Sequence, residues 1–427
     1  PPGPNKVVNW FPLVAVIAYT RGFHLIRGCD ALAMDFEQIT PDQLGASGIS
    51  ATTRDASSAV QRRNEPLVVF VKIGSKLVLA VLWLLVELLG RPFVFLINLF
   101  LNNWAPNYQY HFQLKGLSEV GGDVATDGVS PPGMAVETTL YHSRYGTRKN
   151  ETVDTMFPHD RALADANPAI VYVHGGGWIA ANSACLLHSV APIARAGYDL
   201  YSIDYPLAPE VRFPGPLVST IRAISWIKTH EGKHEILLLG DSAGGNLVST
   251  AAALIMNREI FEVFAREAKE PALLTMEFPK IIAVSSIYGI MDQREWRASN
   301  LDTISWLENK ISQFCISFAF RMYRCTNGTF GNKFTLMDIL DHVTHLPPIQ
   351  LQCGSKDVLV LSNRKMHKEL LEREHHVEHK EYPSRHCFFG FPPKWLSNED
   401  WHNGSKQVLT EMLRFFAEHV HAHKKNQ

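Results

Sequence analysis

From Pro168 onward the chain alternates short apolar runs with longer mixed stretches. Ala169–Val173, Tyr198–Ile203, Ile236–Leu239, Lys280–Ser285, Ile349–Cys353 and Val377–Tyr382 read as strands. Leu186–Ala196, stopped by Gly197, and Leu217–His230 carry helical spacing between them. Strands that are continuously apolar rather than alternating are those buried on both faces. Separated by helices, they predict an α/β fold with a mostly parallel central sheet flanked by helices.

One of these strands leads into a sharper signal. The run Glu235-Ile236-Leu237-Leu238-Leu239 is followed by Gly240-Asp241-Ser242-Ala243-Gly244-Gly245, and a helical stretch then continues to Met256. Strand, tight turn and helix are the context of a G-x-S-x-G nucleophile elbow, in which a serine hydroxyl is presented at a strained apex. The flanking glycines lack the Cβ atoms that would keep helix and strand apart. Ser242 is the candidate nucleophile, and it sits at the positive end of the helix.

Upstream, the pattern changes twice. Residues 1–65 form an irregular lead-in, with a small, polar, linker-like tract over 46–64. Residues 66–110 are dominated by apolar residues. Lys72, Lys76, Glu87 and Arg91 interrupt this second stretch, and Pro92 predicts a kink. Its longest uncharged run, Leu77–Val86, is short of the roughly 20 residues of a simple span. Three readings stay open: a helix pair lying in one leaflet, a true span, or a lid packed on the catalytic domain. Membrane-lipid contact through about Pro66–Trp104 is the expectation, with cations snorkelling to the surface. Residues 111–427 are assigned to the catalytic domain. Within it, about 290–345 interrupts the strand–helix rhythm with Trp296, Trp306, Phe314, Phe318, Phe320 and Tyr323, which predicts an insertion over the active site.

Composition narrows the partners. A net charge of −1 over 427 residues gives no electrostatic reason to expect nucleic acid. The six cysteines show no metal-binding spacing, so no metal or other cofactor is expected. They are expected to pack as small buried residues, with a Cys315–Cys325 pair as the alternative in an oxidising compartment. Sequons at Asn150, Asn327 and Asn403 hint at a secretory lumen, and the endoplasmic reticulum is the candidate membrane. Nothing names a protein partner.

A glycine run, His174-Gly175-Gly176-Gly177-Trp178, follows the strand Ala169–Val173. Such a run lets backbone N–H groups converge where a tetrahedral oxyanion would form, together with the N–H of Ala243. A phosphate loop would need a Lys-Ser/Thr after the glycines, and Trp178-Ile179 stands there instead.

Together with Asp204-Tyr205-Pro206-Leu207-Ala208-Pro209-Glu210 and Phe213-Pro214, these motifs resemble the hormone-sensitive-lipase branch of the α/β-hydrolases, which includes arylacetamide deacetylase and sterol deacetylases. The resemblance covers roughly residues 165–415. It implies an acid and a base downstream of Ser242. Asp357, in Gly354-Ser355-Lys356-Asp357, matches the acid, with Asp338 as a rival read as a solvated carboxylate. His386, in His386-Cys387-Phe388, matches the base, with His375, His376 and His379 as alternatives. Gly176, Gly177 and Ala243 are then the oxyanion donors, and His174, Gly175 and Asp241 complete the motifs. The family's arginine is replaced by Pro206, and its second carboxylate by Leu361. The implied activity is serine carboxylester hydrolysis on a small, apolar, lipid-like ester. Amide hydrolysis by the same groups is one rival, and a hydrolase-fold accessory or structural subunit of a membrane assembly is the other.

Overall fold

The computed structural model describes residues 139–158, 161–295, 306–324, 333–389 and 399–426, with Pro92 upstream. Apart from Pro92, all belong to the compact unit Val94–Gln427. The lead-in, and the apolar stretch apart from Pro92, lie outside the described residues. Among the described residues, no helix is long and apolar enough to cross a membrane.

Eight strands form one sheet: β1 (Thr139–Arg144), β2 (Thr152–Phe157), β3 (Ala169–Val173), β4 (Leu200–Ile203), β5 (Glu235–Asp241), β6 (Lys280–Ile287), β7 (Ile349–Gly354) and β8 (Val377–Tyr382). Their spatial order is β1-β2-β4-β3-β5-β6-β7-β8. The β1–β2 and β2–β4 pairings are antiparallel and the rest are parallel. The helices are α1 (Arg161–Asp165), α2 (Leu187–Arg195), α3 (Gly215–Thr229), α4 (Ala243–Met256), α5 (Arg258–Glu267), α6 (Trp306–Tyr323), α7 (Leu336–Ile339), α8 (Val360–Glu372) and α9 (Glu399–Lys425).

Strand alternation sorts side chains onto the two faces of the sheet. Ile170, Tyr172, Leu237 and Leu239 meet Val190 and Ile193 of α2 and Val408, Met412, Phe415 and Phe416 of α9 in one fully buried cluster. The intervening Val171, Val173, Ile236 and Leu238 are equally buried on the other face, where α4 packs across β3, β5 and β6. α4 is itself buried from Ala243 to Leu254, as expected of a helix sandwiched between the sheet and α3. By contrast, α9 buries one stripe at the spacing 408, 412, 415/416, 420 that helical periodicity requires.

Two features depart from the sequence reading. β1 and β2 precede the rhythm inferred to begin at Pro168, and they lack an apolar signature because β2 buries polar groups. Thr152 Oγ1 donates to Asp204 at 3.1 Å, and Ser183 Oγ donates to Asp154. The cysteines are also not uniformly buried: Cys353 is, whereas Cys315 and Cys387 are free and exposed.

β7 carries a polar ladder inside the core. Gln350 and Gln352 are wholly buried where α9 covers the sheet. Gln352 Nε2 donates to Ser285 Oγ and to the Val408 carbonyl, both at 3.3 Å, while its Oε1 accepts from the Tyr382 hydroxyl. Removing this amide strands a buried hydroxyl and opens a void, so Gln352→Ala is expected to cost about 2 kcal/mol. Urea denaturation checks this, and an unchanged midpoint would contradict it.

Candidate active site

The turn from β5 into α4 is constrained on every side. Ser242 takes φ 51°, ψ −116°, and its N–H donates to the Ile287 carbonyl of β6 at 2.9 Å. A Cβ on Gly244 would lie 1.9 Å from the Val173 carbonyl oxygen, so only glycine lets α4 start this close to β3. The result is a serine 6% exposed with its hydroxyl directed at a histidine.

That histidine is His386, on the loop after β8. Ser242 Oγ lies 3.1 Å from His386 Nε2, and His386 Nδ1 lies 2.8 Å from Asp357 Oδ2. Asp357 follows β7 and is fully buried, and its other oxygen accepts from the Leu359 N–H at 2.8 Å. With Nδ1 facing a carboxylate, the tautomer is set: Nδ1 carries the proton and Nε2 is left to accept from the serine. Burial pulls the His386 pKa down, but the charge of Asp357 and the neighbouring Cys387 outweigh it and hold it well above the ordinary imidazole value. Tyr288 closes one side of the ring edge-on at 4.8 Å. The chain thus brings Ser242, Asp357 and His386 together in one hydrogen-bonded relay.

The other histidines weighed as bases lie elsewhere. His379 rings against His367 at 5.2 Å, and His376 against His419 at 4.8 Å. Asp338, read as a solvated carboxylate, is instead a structural cap. Its Oδ2 accepts from the Thr335 N–H at 3.0 Å, from the Thr335 hydroxyl and from Gln293 Nε2. Leu361, standing where a second acid would be, packs against the apolar cluster under the sheet.

The glycine loop curls over the same spot. Gly176 (φ 100°) and Gly177 (φ 63°) adopt the left-handed region, and a Cβ on Gly176 would strike the Ala180 carbonyl oxygen at 2.1 Å. Ala243 opens α4, where a backbone N–H has no acceptor within its own helix, and the Gly176 and Gly177 N–H groups lie on the adjoining loop, so all three are candidates to meet a ligand oxygen. Beneath the loop, His174 is buried and stacks on Tyr205 at 4.4 Å, with its Nδ1 2.7 Å from the Gly175 carbonyl. Burial lowers the His174 pKa to about 4, so the ring is neutral at pH 7. Burial also raises Asp204 to about 7 and Asp241 to about 6.

Helix α6 of the aromatic insertion leans on this loop. Tyr323 stacks on Trp178 at 4.3 Å with an interplanar angle of 2°, and Phe320 and Phe334 complete the cluster. Ala319 Cβ would sit 3.1 Å from a Cβ on Gly177, so a small residue stands where the insertion meets the oxyanion loop. Sequence reasoning named no role for Tyr172, Tyr288 or Trp178. For Tyr172 the signal was its place two residues before His174, at the end of an otherwise aliphatic strand.

Comparison with known proteins agrees with this architecture. A family profile described as "alpha/beta hydrolase fold" matches residues 170–390. The versiconal hemiacetal acetate esterase of Aspergillus parasiticus is 28% identical over 156 residues, 34% of this chain, and the match spans only 45% of that relative's length. The acetyl esterase of Salmonella typhi is 22% identical over 292 residues, 67% of this chain and 80% of the relative. Mouse hormone-sensitive lipase is 38% identical over 101 residues, 22% of this chain and 12% of the lipase. Esterase B from Lactobacillus rhamnosis superposes with a TM-score of 0.55 at 18% identity, over 75% of this chain and 98% of the other. By its sheet, its elbow and the profile it matches, the chain belongs to the alpha/beta hydrolase family.

Proposed function

We propose that the protein is a serine carboxylester hydrolase in which Ser242, His386 and Asp357 are the catalytic residues. The observation that carries this reading is the relay itself: a buried hydroxyl 3.1 Å from an imidazole that is oriented in turn at 2.8 Å by a buried carboxylate. Relatives named as esterases support ester hydrolysis over other chemistry on the same fold.

The steps follow from proton positions. As Ser242 Oγ attacks the ester carbonyl carbon, its proton moves to His386 Nε2 and the carbonyl electron pair becomes an oxyanion. The N–H groups of Gly176, Gly177 and Ala243 donate to that oxyanion, whose charge they meet in a water-poor site. Asp357 stabilises the imidazolium and holds its orientation. His386 then gives the proton to the leaving alkoxide, the acyl–oxygen bond breaks, and water repeats the cycle on the acyl-Ser242 ester.

The substrate class we infer is an apolar, lipid-like ester, such as a sterol or acylglycerol ester. Its support is the apolar character of the insertion that packs on the oxyanion loop through Phe320 and Tyr323, with Phe314 of the same insertion 54% exposed. We place the protein in the arylacetamide-deacetylase and sterol-deacetylase group and on a membrane, with Pro66–Trp104 as the lipid-contacting segment and the endoplasmic reticulum as the candidate location. The motifs and the uneven apolar stretch support that placement.

Hydrolysis of p-nitrophenyl esters of rising acyl length tests the reading. Turnover is expected within this series and is expected to fall by roughly 10³-fold or more in Ser242→Ala. A folded wild type without turnover on any ester would point to the accessory-subunit reading.

The pH profile tests the relay separately. His386 must be neutral to accept a proton, so kcat/KM rises with pH through its pKa, on an acid limb above the ordinary imidazole range. Asp357→Asn removes the charge that raises this pKa while burial still lowers it. The limb is therefore expected to move to lower pH, with the plateau reduced by roughly 10³- to 10⁴-fold. An unmoved limb would mean that Asp357 does not face the working base.

A further inference from the structure

The carboxylate of Asp241 precedes the nucleophile yet takes no part in the proton relay. It is 5% exposed, and its Oδ1 accepts two hydrogen bonds. One comes from the Gly175 N–H at 2.8 Å, at the root of the glycine loop, and the other from the Tyr172 hydroxyl at 2.6 Å, from β3. Contact here is close enough to exclude a side chain, since a Cβ on Gly175 would lie 2.5 Å from Asp241 Oδ2 and 2.9 Å from the Asp241 carbonyl oxygen. On its far side the loop is held less directly. The Tyr205 hydroxyl reaches the His174 and Gly175 carbonyl oxygens at 2.9 and 3.3 Å, and the Ala180 N–H bonds the Gly176 carbonyl at 3.1 Å.

The oxyanion site proposed above is built from two separate pieces of chain. Ala243 belongs to the elbow, whereas Gly176 and Gly177 belong to a loop from another strand. Their N–H groups converge only if loop and elbow keep a fixed separation, and the Asp241–Gly175 bond is a direct polar link between them. We propose that Asp241 is the positioning residue of the oxyanion hole, its Oδ1 holding the glycine loop in register with the Ala243 N–H through Gly175. The inference rests on the serine-hydrolase reading and deepens it. Burying a carboxylate here costs desolvation, which the two hydrogen bonds offset. An apolar residue at 241 would leave the Gly175 N–H without its partner and the loop without its anchor. The required property is an acceptor at Oδ1, so asparagine should serve where alanine cannot.

A loop displaced by even about 1 Å weakens bonds made to the developing oxyanion far more than it weakens binding of the neutral ester. The test therefore compares turnover with affinity for an aryl trifluoromethyl ketone. This ligand forms a bond between Ser242 Oγ and its carbonyl carbon, passes the serine proton to His386 and leaves an oxyanion in the hole. Asp241→Ala is expected to lower kcat by about 100-fold and to weaken the ketone comparably, the size expected for losing oxyanion donors, with KM changed less than about threefold. Asp241→Asn is expected to stay within about fivefold of wild type in both. Gly175→Ala, which forces the loop off the carboxylate, is expected to reproduce the alanine pattern and decides the matter if Asp241→Ala does not fold. Folded Asp241→Ala or Gly175→Ala protein with wild-type ketone affinity would overturn the proposal, and so would an Asp241→Asn variant as impaired as Asp241→Ala. A wild type that neither turns over esters nor binds the ketone would overturn the hydrolase reading instead.

Discussion

At Ser242 the backbone turns through φ 51°, ψ −116°, a region an L-residue enters only where its surroundings impose it, at a cost of about 1–3 kcal/mol. The surroundings here are three parallel strands and a helix that can come no nearer. α4 begins against the Val173 carbonyl of β3, and the Ser242 N–H is tied to β6. Everything else in the site is arranged around the direction this turn gives the hydroxyl. β7 and β8 lie farther along the same sheet, and the loops at their ends bring Asp357 and His386 to the serine from one side. β3 brings the glycine loop from the other.

The sheet also explains why the groups stay put. The nucleophile, acid and oxyanion loop each follow directly on a strand buried on both faces, and the histidine loop follows the edge strand β8. The α9 helix seals the underside with Phe415, Phe416 and Met412, while β7 sends Gln350 and Gln352 into that apolar layer. Such buried amides fix the register of α9 on the sheet because they accept only one set of partners, a specificity that apolar contacts alone do not give. Above the sheet the insertion is held by ring stacking on Trp178 and by its main-chain link from Phe213 to Tyr323 at 2.8 Å. The oxyanion loop and the C-terminal end of α6 therefore pack together.

Much of this was legible in the chain because it is encoded locally. The elbow announces itself through an apolar strand and two glycines around Ser242, and β3 through β6 through their apolar runs. Asp357 and His386 carry no such local mark. The resemblance alone points to them, and from more than 100 residues downstream the fold brings His386 within hydrogen-bonding distance of the serine and Asp357 within hydrogen-bonding distance of His386. Three things escaped the reading for definite reasons. β1 and β2 hide because Thr152 and Asp154 are buried by hydrogen bonding, which hydropathy cannot see. α9 was readable from the spacing of Val408, Met412, Phe415 and Val420 but lies beyond the motifs that drew attention. Asp241 looked like a motif filler, since its link to Gly175 joins residues 66 apart in sequence.

The central claim is that Ser242 is an activated, accessible nucleophile, and covalent labelling tests it most directly. The protein would be treated with an alkyl fluorophosphonate and the modified peptide located by mass spectrometry. The assignment predicts one adduct per chain on the peptide carrying Ser242, absent in Ser242→Ala. Folded protein that takes up no label, or carries it on another residue, would contradict it.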